Sequence, residues 1–244
     1  MTPPAIADTN WLQASELYRT VGNAVEIDWP IYQGDVFSDV PVPELPVEMP
    51  VSDRLELPLR SGMIMIVPHP CRCYRGDMLR ERLTIAPVDL TDSYGKFGKD
   101  HSGWTDHFGL PGLVGDTADG GYVADFSRLV SLPTSWLDPE KRIACLSHKG
   151  LGLLAKRMLG FQLRYPVELG AAMVYTAGEW TEAFLMQAWV RTHRTLAGYS
   201  AWLKTPVVIA GVNGGEPIAP RELRESGRDV LLGEITGHPI AESE

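Results

Sequence analysis

The sequence predicts an α+β fold in which a β-rich part precedes a helical part. Leu59-Arg-Ser-Gly-Met-Ile-Met-Ile-Val67 has strand length, and its continuous apolar end calls for burial on both faces of a sheet. Trp180, Phe184, Ala188, Trp189, Leu196, Tyr199 and Leu203 recur every three or four residues, the period of a helix with one buried face. Pro166 lies between these regions. It divides the chain into a β-rich domain, residues 1–166 with a Pro-rich loop at 41–58, and a helical region, residues 167–244, packed on it.

Residues 1–10 read as a loose tail. Trp11 to Val21 carries helical spacing through Leu12, Leu17 and Val21, and Gly22 is a stop signal. Glu26 to Tyr32 reads as a strand, and Gln33-Gly34-Asp35 turns into Val36-Phe37. Pro41, Pro43, Pro46, Pro50 and Pro58 follow; proline lacks a donor, so an extended polyproline-type loop is expected there. A proline-rich ligand for a partner is the functional alternative.

Pro68 to Gly76 breaks the Leu59–Val67 strand, and Leu83 to Val88 is another. Residues 89–121, rich in Gly, Asp and Ser, hold either a hidden short helix or a functional flap. Tyr122 to Leu132 has room for one strand. Asp138-Pro139-Glu140 has helix-start chemistry, so Arg142 to Leu146 either continues that helix or forms a short strand. Ser147 is placed to cap a helix from about His148 to Arg164. Thr176-Ala-Gly-Glu179 matches a capping box opening the long helix, which Pro206 ends. Val207 to Val212 and Asn213-Gly214-Gly215 read as a strand and tight turn.

Of the 244 residues, 44% are hydrophobic and 22% charged, enough for a real core. The formal net charge is −9. Phosphate binding rests on Lys and Arg, so direct DNA binding is not expected, nor is an anionic membrane. Three cysteines make no disulfide framework. Met1 to Asp8 lacks the cationic and apolar stretches of a signal peptide, and the run Met63 to Val67 is far too short to span a bilayer. A cytoplasmic location is expected.

Charge is polarised along the chain. Residues 1–60 hold ten acidic and three basic side chains, a balance of −7. Residues 141–164 hold Lys141, Arg142, Lys149, Lys156, Arg157, Arg164 and no acid. Such a cluster reads either as one solvated helix face or as a docking face for an acidic protein surface or phosphate, with Lys149, Lys156, Arg157 and Arg164 as the partner-binding candidates. The acidic first part also has the charge to fold back over it.

No complete catalytic motif is present, so no catalytic residue and no cofactor are expected. Weak metal candidates are His69, Cys71 and Cys73, which share a face in an extended chain, with Cys145 and His148; thiolates and imidazoles suit tetrahedral zinc. The alternative is buried, inert thiols. Cys71 as a nucleophile would need its pKa lowered by His69, Arg72 or Arg75. Gly150-Leu-Gly152-Leu-Leu-Ala155, with Glu168 beyond, matches a dinucleotide-loop pattern. Otherwise those glycines let a helix pack closely.

Gln33-Gly34-Asp35-Val36-Phe37, Gly62-Met-Ile-Met-Ile-Val67 and Leu83-Thr-Ile-Ala-Pro-Val88 together resemble the opening of MazF/PemK-type toxins. The resemblance covers residues 32–88. It implies an SH3-like barrel near the N-terminus and, as activity, RNA cleavage around Asp35, Arg60 and the His69–Arg75 turn. Those toxins carry Arg-Pro before the apolar strand, where this chain has Arg60-Ser-Gly62. In overall character, including the Val67-Pro-His-Pro-Cys71 turn and the basic Arg72–Arg82 segment, the chain also resembles actinobacterial or actinophage regulatory proteins. Recombination directionality factors of large serine integrases are an example. That resemblance implies a non-enzymatic protein that binds a larger protein partner, such as a DNA-bound recombinase.

Overall fold

The computed structural model describes residues 14–22, 25, 29–44, 58–69, 72–91, 106–113, 121–163, 169–223 and 227–236. Ten strands and five α-helices lie within them. The strands are β1 (Tyr18–Val21), β2 (Val36–Pro43), β3 (Leu59–Ile66), β4 (Tyr74–Arg75), β5 (Met78–Leu79), β6 (Arg82–Thr91), β7 (His107–Leu110), β8 (Gly121–Asp125), β9 (Val130–Pro133) and β10 (Arg142–Leu146). The helices are α1 (Ala14–Leu17), α2 (His148–Leu163), α3 (Leu169–His193), α4 (Tyr199–Lys204) and α5 (Arg228–Thr236).

Eight strands pair antiparallel in the order β1-β10-β2-β3-β6-β8-β7, with β9 also on β6, and β4 pairs β5 separately. The fold is α+β. Among the described residues no ladder joins β1 to β7, so the pairing runs as an open path and closes no barrel.

The apolar end of the central strand β3 is buried on both faces, as its composition requires. Ile64 and Ile66 point into one core with Phe37, Leu83, Ile85 and Leu132. Met65 and Val67 point into the other, with Phe108, Phe126, Leu151 and Leu154 of α2. This is the two-residue alternation of a strand.

Several expectations are corrected. Trp11–Val21 is not one helix: Tyr18–Val21 is a strand because Tyr18, Thr20 and Val21 pair with Leu146, Cys145 and Ala144 of β10. Cross-strand pairing overrides helical spacing here. No strand covers Trp29–Tyr32, although those residues are buried; residues 26–28 lie outside the described residues.

Pro41 and Pro43, expected in the Pro-rich loop, instead belong to β2 and pair with Ser61 and Leu59; residues 45–57 lie outside the described residues. The Glu44 N–H donates to the Pro58 carbonyl at 2.9 Å. By alternation, the donorless nitrogens of Pro41 and Pro43 face away from β3. The described register of β10 on β2 is confined to Val36 and Phe37, so no partner on that side needs those donors. Asp39, at φ 54, marks the bulge that separates the two halves of β2.

Tyr122–Leu132 holds two strands. Asp125 caps a short 3₁₀ turn, accepting the Ser127 N–H at 2.9 Å, and the chain folds so that β8 pairs one half of β6 and β9 the other.

Asp138-Pro139-Glu140 forms a single 3₁₀ turn, and Arg142–Leu146 is a strand. Ser147 caps α2 as its chemistry predicts, its Oγ accepting the Gly150 N–H at 3.0 Å. Thr176 caps nothing. It lies inside α3, buried, with its hydroxyl donating to the Ala172 carbonyl at 3.2 Å.

The long helix also stops before Pro206. Arg194 (φ 61) and Gly198 (φ 85) turn the chain, and α4 folds back so that Tyr199 and Trp202 meet Trp189 at 5.9 and 5.5 Å. Val207 contributes one bridge to Ile218 and no strand.

Pro166 lies between α2 and α3, outside the described residues. The helices on either side pack against each other. A third core joins Trp29, Tyr32 and Cys145 to Leu185, Met186, Tyr199 and Leu231. Arg19 of β1 lies 3.7 Å over the Trp29 ring and donates to Gln187 Oε1 at 2.8 Å. Among the described residues no helix is long and apolar enough to cross a membrane.

Candidate functional site

The cations of residues 141–164 do not gather on one solvated face. Lys141 pairs with Asp39 at 3.2 Å and Lys149 with Glu16 at 2.9 Å. Arg142 is buried beside Asp35, their closest N–O distance 3.5 Å. The acids of the first part thus neutralise three of these cations. Of the remaining partner-binding candidates, Arg157 is buried and Lys156 half-buried; Arg164 lies outside the described residues.

Asp35 sits at the base of β2, 1% exposed. Its Oδ2 accepts the Tyr32 N–H at 2.9 Å. Burial pushes its pKa up to about 6, against the pull of Arg142 and the Tyr32 N–H. The Arg142 contact is electrostatic, since its Nε makes no hydrogen bond at that distance. Asp35 is therefore not part of a surface with Arg60, which stands exposed and pairs with Glu44 and Asp89, each at 3.2 Å.

Cys145 lies against Asp35. Burial first, and the Asp35 charge second, push its thiol pKa up, so it remains protonated. Cys73 is fully buried in a different core, and His148 stacks on Trp180 at 5.9 Å. Burial holds the pKa of His69 below its ordinary value, opposed by the Glu182 charge. Among the described residues no three metal-ligating side chains converge; Cys71 lies outside them.

The dinucleotide pattern is also corrected. The strand before Gly150, β10, is antiparallel to both neighbours, so there is no parallel βαβ unit to present a phosphate loop. A Cβ on Gly150 would lie 2.3 Å from the Leu17 carbonyl oxygen: this glycine lets α2 approach the end of α1. Glu168 lies outside the described residues.

The most distinctive exposed feature is the β4–β5 hairpin. Arg75 pairs with Met78 across a Gly76-Asp77 loop. Gly76 has φ 63 and Asp77 does not have positive φ, the pattern of a II′ turn. A hairpin this short is not stable alone. The Asp77 carboxylate fastens it to α4 by accepting the N–H groups of Gly198 at 2.9 Å and Ser200 at 2.6 Å. Thr134 donates to the Arg80 carbonyl at 2.8 Å, and the Arg80 N–H donates to the Cys73 carbonyl at 2.9 Å.

Arg72, Arg75, Arg80 and Arg82 are all exposed around this hairpin. They line two adjoining hollows that share Arg80 and Arg82. None has an acidic partner among the described residues; Arg82 bonds to Ser131. Met78 stands among them at 69% exposure.

The hairpin also walls a cleft of about 340 Å³ against α3 and α4. Tyr32, Tyr74, Tyr199 and Met186 line it, with Lys204 and Arg221 among its polar groups.

No protein-family model, curated protein or solved structure matches the chain.

Sequence reasoning placed the docking cations at Lys149, Lys156, Arg157 and Arg164, and weighed the Arg72–Arg82 segment only within a resemblance and, through Arg72 and Arg75, beside Cys71. The usable signal was local: four arginines in eleven residues, divided by a Gly-Asp turn.

Proposed function

We propose that this chain is a non-enzymatic regulatory protein that acts by binding a larger protein partner through the Arg72–Arg82 hairpin. Large serine integrases are the partner class to which its overall sequence character points, with the chain acting as a recombination directionality factor. One observation carries the reading: four exposed arginines without acidic partners among the described residues surround an exposed methionine on a braced hairpin, in a chain of net charge −9. Arginine and methionine are enriched where proteins meet, and uncompensated charge speeds association with a surface of opposite sign. The matching partner surface is acidic.

The test is a recombination assay with the purified chain and a purified large serine integrase from the same genome. The expected result is inhibition of the integrative reaction and activation of the excisive one. An unchanged product ratio, with no complex on a sizing column, would refute the integrase assignment.

RNA cleavage in the manner of MazF/PemK-type toxins, with its SH3-like barrel, is the second reading. The same exposed guanidinium groups favour it, since they suit phosphates. The burial of Asp35 counts against it. Expression that leaves growth unaffected, and purified chain that leaves RNA intact, would eliminate this reading.

A further inference from the structure

We infer that the cleft between the β4–β5 hairpin and α3–α4 binds a small aromatic carboxylate. This inference is independent of the docking reading, because the cleft lies on the Tyr74 side of the hairpin, away from Arg75 and Met78. Its volume, about 340 Å³, is within the range of small-molecule sites.

The walls suit a ring. Tyr32, Tyr74 and Tyr199 bring atoms of three aromatic residues to the lining, and Met186 adds a polarisable thioether. Tyr32, Tyr199 and Met186 are buried, so this lining is held by the core. The Tyr74 hydroxyl bonds to the Ile31 backbone and Asp77 ties the hairpin to α4, so the opposite wall is fixed before any ligand arrives.

The polar lining selects the sign of the ligand. Lys204, on the last turn of α4, is exposed and has no acidic partner among the described residues. Arg221 adds a second cation. Among the described lining residues the one carboxylate is Glu182, which interacts with His69. Counted over its described lining residues, the cleft carries two cations and one carboxylate within an acidic chain, a balance that favours an anion. A carboxylate reaching Lys204 and Arg221 leaves its ring among the tyrosines. Ser200 also lines the cleft.

The full chain should be titrated by calorimetry and ligand-observed NMR with 4-hydroxyphenylacetate, its neutral amide, and acetate. The expected result is saturable binding of the aromatic acid with a Kd of about 1 mM or tighter. The amide and acetate should each bind at least about tenfold more weakly. Lys204→Met and Arg221→Met are exposed substitutions, and each should weaken the acid about tenfold with the circular dichroism spectrum unchanged. Equal binding of acid and amide, affinity unaffected by both substitutions, or no saturable binding at about 10 mM would each overturn the inference.

Discussion

Asp77 Oδ1 accepts the Ser200 backbone N–H at 2.6 Å, joining a hairpin turn to the start of α4 across more than half the chain. The same carboxylate takes the Gly198 N–H through Oδ2. One side chain therefore caps a helix whose own cap residue, Gly198, has no side chain to do so. Asp77→Ala should cost about 1 kcal/mol, the usual loss for a helix cap. In a protein this size that lowers the melting temperature by roughly 2–4 °C. Hydrogen exchange should quicken at Tyr74–Leu79 and Tyr199–Lys204 together. Faster exchange in the helix alone would show that the hairpin is held by something else.

Asp35 predicts a specific pH dependence. Its folded pKa of about 6 lies above its ordinary value of 3.8, so the folded chain holds this proton more tightly than the unfolded chain does. Between about pH 4 and pH 6 the Asp35 contribution to stability falls as pH rises, by roughly 3 kcal/mol in all. Asp35→Asn should flatten that slope in urea melts taken across the window, whatever it does to overall stability. An unchanged slope would place the proton elsewhere.

Gly150→Ala separates close packing from a phosphate loop. The new methyl would sit 2.3 Å from a backbone oxygen, which cannot rotate away. Such overpacking costs typically 1–3 kcal/mol. The expected outcome is a lower urea midpoint, with no dinucleotide binding in either form. Dinucleotide binding by the native chain that Gly150→Ala abolishes would restore the discarded reading.

Reversing Arg75 and Arg80 to Glu should leave folding nearly untouched, because neither side chain has an acidic partner among the described residues to lose and both are exposed. Surface changes of that kind usually stay within about 0.5 kcal/mol. Association with the partner should slow at low salt, and the native chain should lose this advantage as salt rises. Equal association rates for the two forms would remove the hairpin from the interface.

The legible parts of the fold were those fixed locally. The apolar run of β3, the Ser147 cap and the span of α2 act through neighbours in sequence, and each is found within a residue or two of its expected place. What was not legible depends on distant pairing. Tyr18–Val21 became a strand only because β10 was there to receive it, and Pro41 and Pro43 fit β2 because the described β10 register stops at Phe37. Thr176 had a cap's sequence, but the helix begins about two turns earlier, at Leu169. The positive cluster at 141–164 is not one free face, and the expectation that the acidic first part folds back over it holds for three of its members: Asp39, Asp35 and Glu16 stand beside Lys141, Arg142 and Lys149.

The central claim is that the Arg72–Arg82 hairpin holds a protein partner, and site-directed photo-crosslinking tests it most directly. A photoreactive amino acid replaces Met78 in the full chain, and another replaces Val208, which is 60% exposed outside the hairpin. Both are expressed in the native host, and adducts are identified by mass spectrometry. A dominant adduct with one larger protein from position 78, absent from 208 and lost on reversing Arg75 and Arg80, is the predicted result. No adduct at 78, or the same adducts from both positions, would contradict it.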